Sequence, residues 1–511
     1  MQVAGKRVTK CGFVLLAIIL IGAFLRLYHL GAQSIWFDEA FSVWVSKLAV
    51  PQMVQATAVD VHPPLYYVLL HYWITVFGTS ESAVRLLSAL FGVFAIPMIY
   101  VLGRQLFNEE AGLVAALILA LSSFNIQYSQ ETRMYSLMAL LALLSMYFFL
   151  RFLQQSNLVS SAGYALSTTL LVYTHIYGLF VVIVQNVYVV TLLLLSRNRA
   201  YSLRRWAALQ AIVVALFIPW IAVLIRQIPQ REATISSLVP PTAATIVDTF
   251  VNYSGMGALM LLFLGFSALS LFTYRKVHGS MNWKAPLKAL ESYSWEVSIQ
   301  DAAPVYFLAV WLITINLIPF IISRFSAPIY LVRYTIAASV ALYLLVAKGI
   351  VNIKHRYTKL AVIGIIVVLS VANLQVYYTS ITKPQGREAT SLIDANFRSG
   401  DVVLVAPSWD HAVFDYYNNR TDVVVKPIYS WAVADKPTKF WATPSGNRPE
   451  DKIKEIQTDV NSRDRVWLLA ARFADGTAAE NFTLNILNES YVNVYKKSYY
   501  VYDVYLFEKR T

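Results

Sequence analysis

The sequence predicts an all-α polytopic membrane domain over residues 1–378, followed by a soluble α/β domain over residues 379–511. Three observations carry this reading. Of the 511 residues, 57% are hydrophobic and only 14% charged, and the mean hydropathy is +0.54, outside the range of soluble globular chains. Apolar runs of roughly 20 residues, the length needed to cross a hydrocarbon core of about 30 Å, recur up to Tyr378. Beyond Tyr378 the composition turns polar and punctuated.

The runs begin near Gly12, Arg85, Ala111, Met134, Ala162, Tyr177, Trp206, Met256, Val305, Tyr334 and Leu360, which makes about eleven transmembrane helices. The first reads as a retained anchor, because no small-x-small cleavage site follows it. Leu65 to Phe77 is apolar but only about 13 residues long, too short to span. Its Tyr66, Tyr67, Tyr72 and Trp73 suit a helix lying in the headgroup zone.

Lys and Arg set the orientation. The N-terminal side holds Lys6, Arg7, Lys10, Arg104 and Arg151 and the basic groups at 197–205, 275–288 and 348–359. The opposite loops hold fewer: Lys47, Arg85, Arg133, Arg226, Arg231, Arg324 and Arg333. By the positive-inside rule the N-terminus is cytoplasmic and the C-terminal domain lies outside. The net charge of +13 is then mostly topological, and no nucleic-acid partner is inferred from it. The connection from Arg275 to Pro304 shows no motif. Cys11 is the only cysteine, which excludes an internal disulfide or a cysteine zinc site.

In the C-terminal domain, strand-like runs lie at Asp401–Ala406, Asp422–Val425, Arg465–Ala471 and Tyr499–Phe507. A helix is expected over Arg387–Phe397, stopped by Gly400. Asp410 and His411 read as a surface pair, with no nucleophile motif nearby.

The chemistry-bearing residues cluster on the outer side. Asp38 and Glu39 follow the first span, ahead of a helix expected to begin at Ala40, and capping that helix is their bland reading. His62 precedes two prolines and reads equally as a turn residue. Glu131 and Arg133 share one short loop, where they are able to pair with each other. His175 reads first as a hydrogen-bonded interfacial histidine. Arg333, with Tyr334, suits either helix anchoring or bidentate phosphate recognition. Five separate loops deliver ionisable side chains to one surface, and that convergence carries more weight than any member.

The first span followed by Trp36-Phe37-Asp38-Glu39-Ala40, then His62-Pro63-Pro64-Leu65-Tyr66-Tyr67, Glu131-Thr132-Arg133-Met134-Tyr135 and Arg333-Tyr334, resembles the GT-C membrane glycosyltransferases. The likeness is to the bacterial branch of the protein O-mannosyltransferase family (glycosyltransferase family 39) and to lipid A aminoarabinose transferases, and it covers about residues 10–380. The resemblance implies a polyprenyl-phosphate sugar donor, transfer on the periplasmic face of the plasma (inner) membrane, inversion at the anomeric carbon, and Asp38 in the position of the catalytic aspartate. At the position of His62 some relatives place a phosphate-contacting lysine. Asp38 and Glu39 are then the catalytic pair, with Glu39 orienting its neighbour or a metal because adjacent side chains diverge, while His62, Glu131, Arg133, His175, Arg333 and Tyr334 bind substrate or phosphate.

The implied partners are the donor, membrane lipids and a glycan, lipid or protein acceptor. No cofactor is called for and no metal cage is visible, although a divalent cation sharing the phosphate stays open. Two other readings remain: a flippase or transporter of a lipid-linked sugar, which would show mid-membrane charges, broken helices and paired repeats, and an O-antigen ligase or polymerase.

Overall fold

The computed structural model describes residues 2–60, 62–195, 200–235, 239–276, 293–297, 302–326, 328–428, 449–472 and 474–510. Most of the 275–304 connection and the basic residues at 197–199 lie outside the described residues. The chain forms two compact units, one of Met1–Tyr28, Arg85–Val223 and Leu238–Thr379, the other of His29–Val84, Leu224–Ser237 and Ser380–Thr511.

Along the chain run α1 (Gln2–Leu27), α2 (Phe37–Ser46), α3 (Val50–Val59), α4 (Leu65–Phe77), α5 (Glu81–Leu106), α6 (Glu109–Leu121), α7 (Ser123–Ser129), α8 (Tyr135–Gln154), α9 (Leu158–Thr174), α10 (Gly178–Leu195), α11 (Ala200–Ile235), α12 (Ala243–Ser254) and α13 (Gly257–Leu269). An antiparallel strand pair, β1 (Phe272–Lys276) with β2 (Tyr293–Val297), precedes α14 (Ala302–Phe325), α15 (Ile336–Val351) and α16 (Arg356–Thr379).

Among the described residues, 8 helices are long and apolar enough to cross a membrane, or 10 if the bent pairs α6–α7 and α12–α13 each count as one span. The eleventh run of the sequence reading is α9, whose 17 residues lie at the short end of the spanning range. It returns along α8 and brings His175, at its end, to 6.2 Å from Tyr135 at the start of α8. Ser160, Ser161, Ser167, Thr168 and Thr169 lower its apolarity. Several of these side chains turn inward. Ser145 of α8 and Thr168 of α9 share a hydrogen bond of 2.7 Å, and Gln185 Nε2 of α10 donates to Ser145 Oγ at 2.8 Å. Tyr164 Oη donates to Gln185 Oε1 at 2.9 Å and accepts from Gln210 Nε2 of α11 at 2.8 Å. Four helices are thus joined by polar side chains that satisfy one another.

Each bent pair has an identifiable cause. The α6–α7 pair bends by 60° at Ser122, whose Oγ accepts from Asn125 N–H and so starts α7. The freed carbonyls at the end of α6 are taken by Arg26, which is fully buried: its guanidinium donates to Leu119 O at 3.1 Å and Ala120 O at 3.3 Å. A cation at a helix C-terminus also complements the dipole. The α12–α13 pair bends by 91° at Gly255, where φ is +94° and a Cβ would stand 2.8 Å from Asn373 Oδ1. The Gly255 carbonyl accepts from Asn373 Nδ2 at 2.7 Å, so non-helical backbone is again satisfied internally.

In the other unit, α17 (Gly386–Asn396), β3 (Val402–Ala406), α18 (His411–Tyr417), β4 (Val424–Pro427), α19 (Pro449–Val460), β5 (Arg465–Ala471), α20 (Ala474–Ser490), β6 (Tyr491–Ser498) and β7 (Tyr502–Lys509) follow the last span. The strands form one sheet in the order β4-β3-β5-β7-β6, parallel over β4-β3-β5 and antiparallel thereafter. Val402, Leu404 and Ala406 enter one apolar cluster with Ile456 and Leu487, while Val403 and Val405 enter another with Ala389, Ile393 and Phe414. Both faces of β3 are therefore covered by helices, which is why it reads as a continuous apolar run. The expected strands and the helix before Gly400 are present. The edge strand β6 was not anticipated, because seven of its eight residues are exposed and show no alternation.

The surface reading of Asp410 is corrected. Asp410 is fully buried, and Tyr502 Oη donates to its Oδ1 at 3.0 Å. Burial pushes the carboxyl up to about 7. The folded state therefore binds this proton more tightly than the unfolded chain, whose carboxylates titrate near about 4. Stability falls as pH rises through that interval and levels off above it. Pulse proteolysis of the C-terminal unit in denaturant is expected to show a loss of at most about 1.4 kcal/mol per pH unit between pH 5 and 7. Asp410→Asn should flatten this slope, and an unchanged slope would remove Asp410 as its source.

Candidate functional site

In the unit that holds residues 29–84, α2 starts at Phe37 rather than Ala40. Trp36 is the N-cap, with extended backbone, and its carbonyl accepts from the Glu39 and Ala40 amides at 3.0 Å. No side chain caps this end, so the capping reading of Asp38 and Glu39 is replaced by a place in the first turn, where the dipole favours carboxylates. Asp38 is half-buried, and its backbone carbonyl accepts from Ser42 Oγ at 2.8 Å.

Glu39 is fully buried, and Lys383 Nζ, itself buried, donates to its Oε2 at 3.0 Å. A carboxylate out of water needs such a partner, because removing either member leaves an uncompensated charge. The turn is braced on both sides. Gln33 Oε1 accepts from the Thr382 and Lys383 amides at 2.8 and 2.9 Å, and Ser34 Oγ donates to Glu388 Oε2 at 2.8 Å. Ile35 N–H donates to Tyr417 Oη at 2.5 Å. Tyr417 in turn donates to Glu81 Oε1 at 2.6 Å, and Arg387 pairs with the same carboxylate at 2.7 Å.

His62 is buried in this unit, just beyond Asp60, whose carbonyl accepts from Gln227 Nε2 at 2.5 Å. The helix α4 buries Tyr66, Tyr67 and Leu70 and exposes Tyr72, Val76 and Phe77. His71 Nδ1 lies 2.8 Å from the Ser46 carbonyl at the end of α2.

The other unit gathers the remaining candidates. Glu131, Arg133 and His175 are buried there, and Arg333 and Tyr334 are half-buried. The Tyr334 ring stands 4.6 Å from His175 and 6.1 Å from Tyr135, and the Arg333 guanidinium lies 5.6 Å from the Tyr334 centroid. Tyr135 stacks edge-on at 5.1 Å with Tyr128, which is reached by the charges of both Glu131 and Arg333. Tyr177 N–H donates to His175 Nδ1 at 3.1 Å, which leaves the proton of a neutral ring on Nε2.

These loops are held from behind. Ser88 Oγ donates to Arg133 O at 3.0 Å. Gln130 Nε2 donates to the carbonyls of Leu25, Arg26 and Tyr28 at the end of α1, at 3.4, 3.1 and 2.7 Å, and Tyr377 Oη donates to Gln130 Oε1 at 2.9 Å. The segment before Arg333 is fixed by Ser323 Oγ, which accepts from Ile329 and Tyr330 amides at 2.8 Å. The segment after it is fixed by Tyr253 Oη, 2.5 Å from Thr335 Oγ1.

Each unit therefore assembles its own cluster. Sequence reasoning missed Lys383, Arg387, Arg26, Gln130 and Tyr253. Only Gln130 stood beside a motif that had been singled out. Among the described residues there is no group of three or more His, Cys, Asp or Glu side chains suited to a metal ion.

Residues 61–223 match the family model of dolichyl-phosphate-mannose-protein mannosyltransferases. That stretch includes His62, Glu131, Arg133 and His175 and leaves out Asp38, Glu39 and Arg333. The fold is similar to ArnT from Cupriavidus metallidurans, in the apo state and bound to undecaprenyl phosphate, with a TM-score of 0.62 in both cases, 12% and 13% identity, and 98% of each chain covered. It is also similar to the archaeal oligosaccharyltransferase AglB from Archaeoglobus fulgidus in complex with an inhibitory peptide and a dolichol-phosphate, with a TM-score of 0.57, 11% identity, and 97% of this chain and 74% of that one covered. No curated protein sequence matches. The chain has the GT-C membrane fold, with a small C-terminal sheet domain.

Gln130→Leu is expected to lower stability by about 1 to 3 kcal/mol, since the Arg26 and Tyr28 carbonyls lose the Gln130 donor inside the protein, while Leu25 keeps Tyr378. The exposed Gln155→Leu should change it little. Thermal melting in detergent compares the two, and equal midpoints would show that Gln130 holds nothing.

Proposed function

We propose that this chain is a membrane glycosyltransferase that moves a sugar from a polyprenyl phosphate to an acceptor hydroxyl, on the outer face of the plasma membrane and with inversion. The observation that carries the reading is an acidic first turn, Asp38-Glu39, directly after the first span of a fold shared end to end with a protein solved bound to undecaprenyl phosphate. The N-terminus is taken as cytoplasmic from the distribution of Lys and Arg.

Glu39 is engaged by Lys383, so the proton-accepting role falls to Asp38. Asp38 takes the proton from the acceptor hydroxyl as the anomeric carbon–phosphate bond breaks, through an oxocarbenium-like transition state. With one base and no covalent carboxylate nucleophile, attack comes from the opposite face and the configuration inverts. Charge develops on the leaving lipid phosphate. Arg133, Arg333 and His62 serve as its donors, and Glu131, His175 and Tyr334 hold those donors or the sugar in place. Guanidinium groups suit a phosphate because two parallel N–H bonds match two oxygens. The apolar exposed end of α4, with Tyr72, Val76 and Phe77, suits the interface through which a polyprenyl chain enters sideways.

The bent pairs α6–α7 and α12–α13 match one feature expected of a transporter. A single assay separates the readings. Membranes holding the wild-type chain should convert labelled undecaprenyl-phosphate sugars into lipid phosphate and a labelled acceptor, and Asp38→Asn should reduce this by about 10²-fold or more while still folding. Equal turnover by both proteins would make Asp38 structural. Arg333→Lys keeps the charge but loses the fork, and should lower kcat/KM by about tenfold or more. An unchanged value would assign Arg333 to helix anchoring.

A further inference from the structure

The helix that carries Asp38 has no side-chain cap at its start, yet it is fastened there by residues more than three hundred positions downstream. The Lys383–Glu39 pair is the buried member of this fastening, at 3.0 Å. Tyr417 accepts from the Ile35 amide at 2.5 Å, and Arg387 joins it on Glu81. A lysine is an unusual group to bury, because its ammonium is strongly hydrated and its stem has many rotamers. Its burial on one defined carboxylate therefore restricts where the first turn of α2 stands. Glu39 and Asp38 are neighbours on that turn, so whatever fixes the backbone at 39 also fixes the direction of the Asp38 carboxylate.

We infer that Lys383 is a positioning residue for the reaction: through its buried pair with Glu39 it holds the first turn of α2 so that the Asp38 carboxylate meets the acceptor hydroxyl, which makes the segment entering the C-terminal domain part of the catalytic apparatus. This rests on the reading of Asp38 as the base. Glu39 is then a held residue and touches no substrate. The effect lies in orientation, and geometry lost from a near-attack arrangement lowers kcat more than it raises KM.

The test uses the full chain in detergent as wild type, Lys383→Met, Glu39→Gln and the double variant. Turnover is read with the undecaprenyl-phosphate sugar that wild type accepts, and backbone hydrogen exchange is read over residues 39–46. Lys383→Met should lower kcat at least tenfold with KM within threefold, and should speed exchange over 39–46. The double variant should stay slow, with fast exchange, since removing both members relieves the orphaned charge but does not restore the clamp.

Three results overturn the inference. They are Lys383→Met retaining kcat within twofold, a loss that falls on KM alone, and a double variant whose kcat and exchange both return to wild type, which would assign the loss to the unpaired Glu39 charge and not to a lost clamp. If wild type turns over no lipid-linked sugar, the proposed function fails. The exchange measurements then still decide whether the clamp exists.

Discussion

A carboxylate taken out of water needs a cation, and Glu39 finds its own in Lys383, 344 positions along the chain. Much of the rest depends on that pairing being made. It fixes the first turn of α2, where Asp38 stands. It also requires the segment after the last span to return to the segment after the first, a connection that Gln33, Ser34, Ile35 and Glu81 then reinforce. The compact unit that contains the C-terminal sheet accordingly contains residues 29–84 as well.

The same constraint governs the helical unit, where it acts on backbone rather than on side-chain charge. Helices that break inside an apolar environment expose carbonyls and amides with no water to take them. Arg26 supplies donors at one break, and Asn373 supplies one at the other. Gln130 closes the end of α1 in the same manner. These satisfied ends are fixed points, and the loop of Glu131 and Arg133 and the turn of Arg333 and Tyr334 begin beside them. On the proposed function, a phosphate held by such loops meets preorganised groups, the condition under which fixed dipoles and charges act most strongly on a transition state.

What was legible in the sequence follows from what a single sequence encodes locally. Apolar runs announced the spans, and continuous apolar stretches announced β3 and β5, since each of these depends on neighbours in the chain. The short apolar run at Leu65–Phe77 announced a helix too short to cross, and α4 has those bounds. The acidic turn after the first span stood out by its placement. What was hidden needed partners distant in sequence. Lys383 looks like any linker lysine until Glu39 is placed against it. Asp410 looks like a surface residue until β7 brings Tyr502 to it. The polar residues of α9 had no visible use in the sequence because their partners lie on α8, α10 and α11. Single-residue features such as the bend at Gly255 carry too little local signal to separate a broken span from a straight one.

The central claim is that the chain breaks a bond between sugar and lipid phosphate rather than carrying the intact lipid-linked sugar. The direct measurement is the stoichiometry of lipid phosphate released to sugar delivered, in proteoliposomes holding only this chain, a labelled undecaprenyl-phosphate sugar and an acceptor. The account predicts one phosphate released for each sugar transferred, with the product anomer opposite to that of the donor. Sugar that changes sides still attached to its lipid, with no phosphate released, would contradict it.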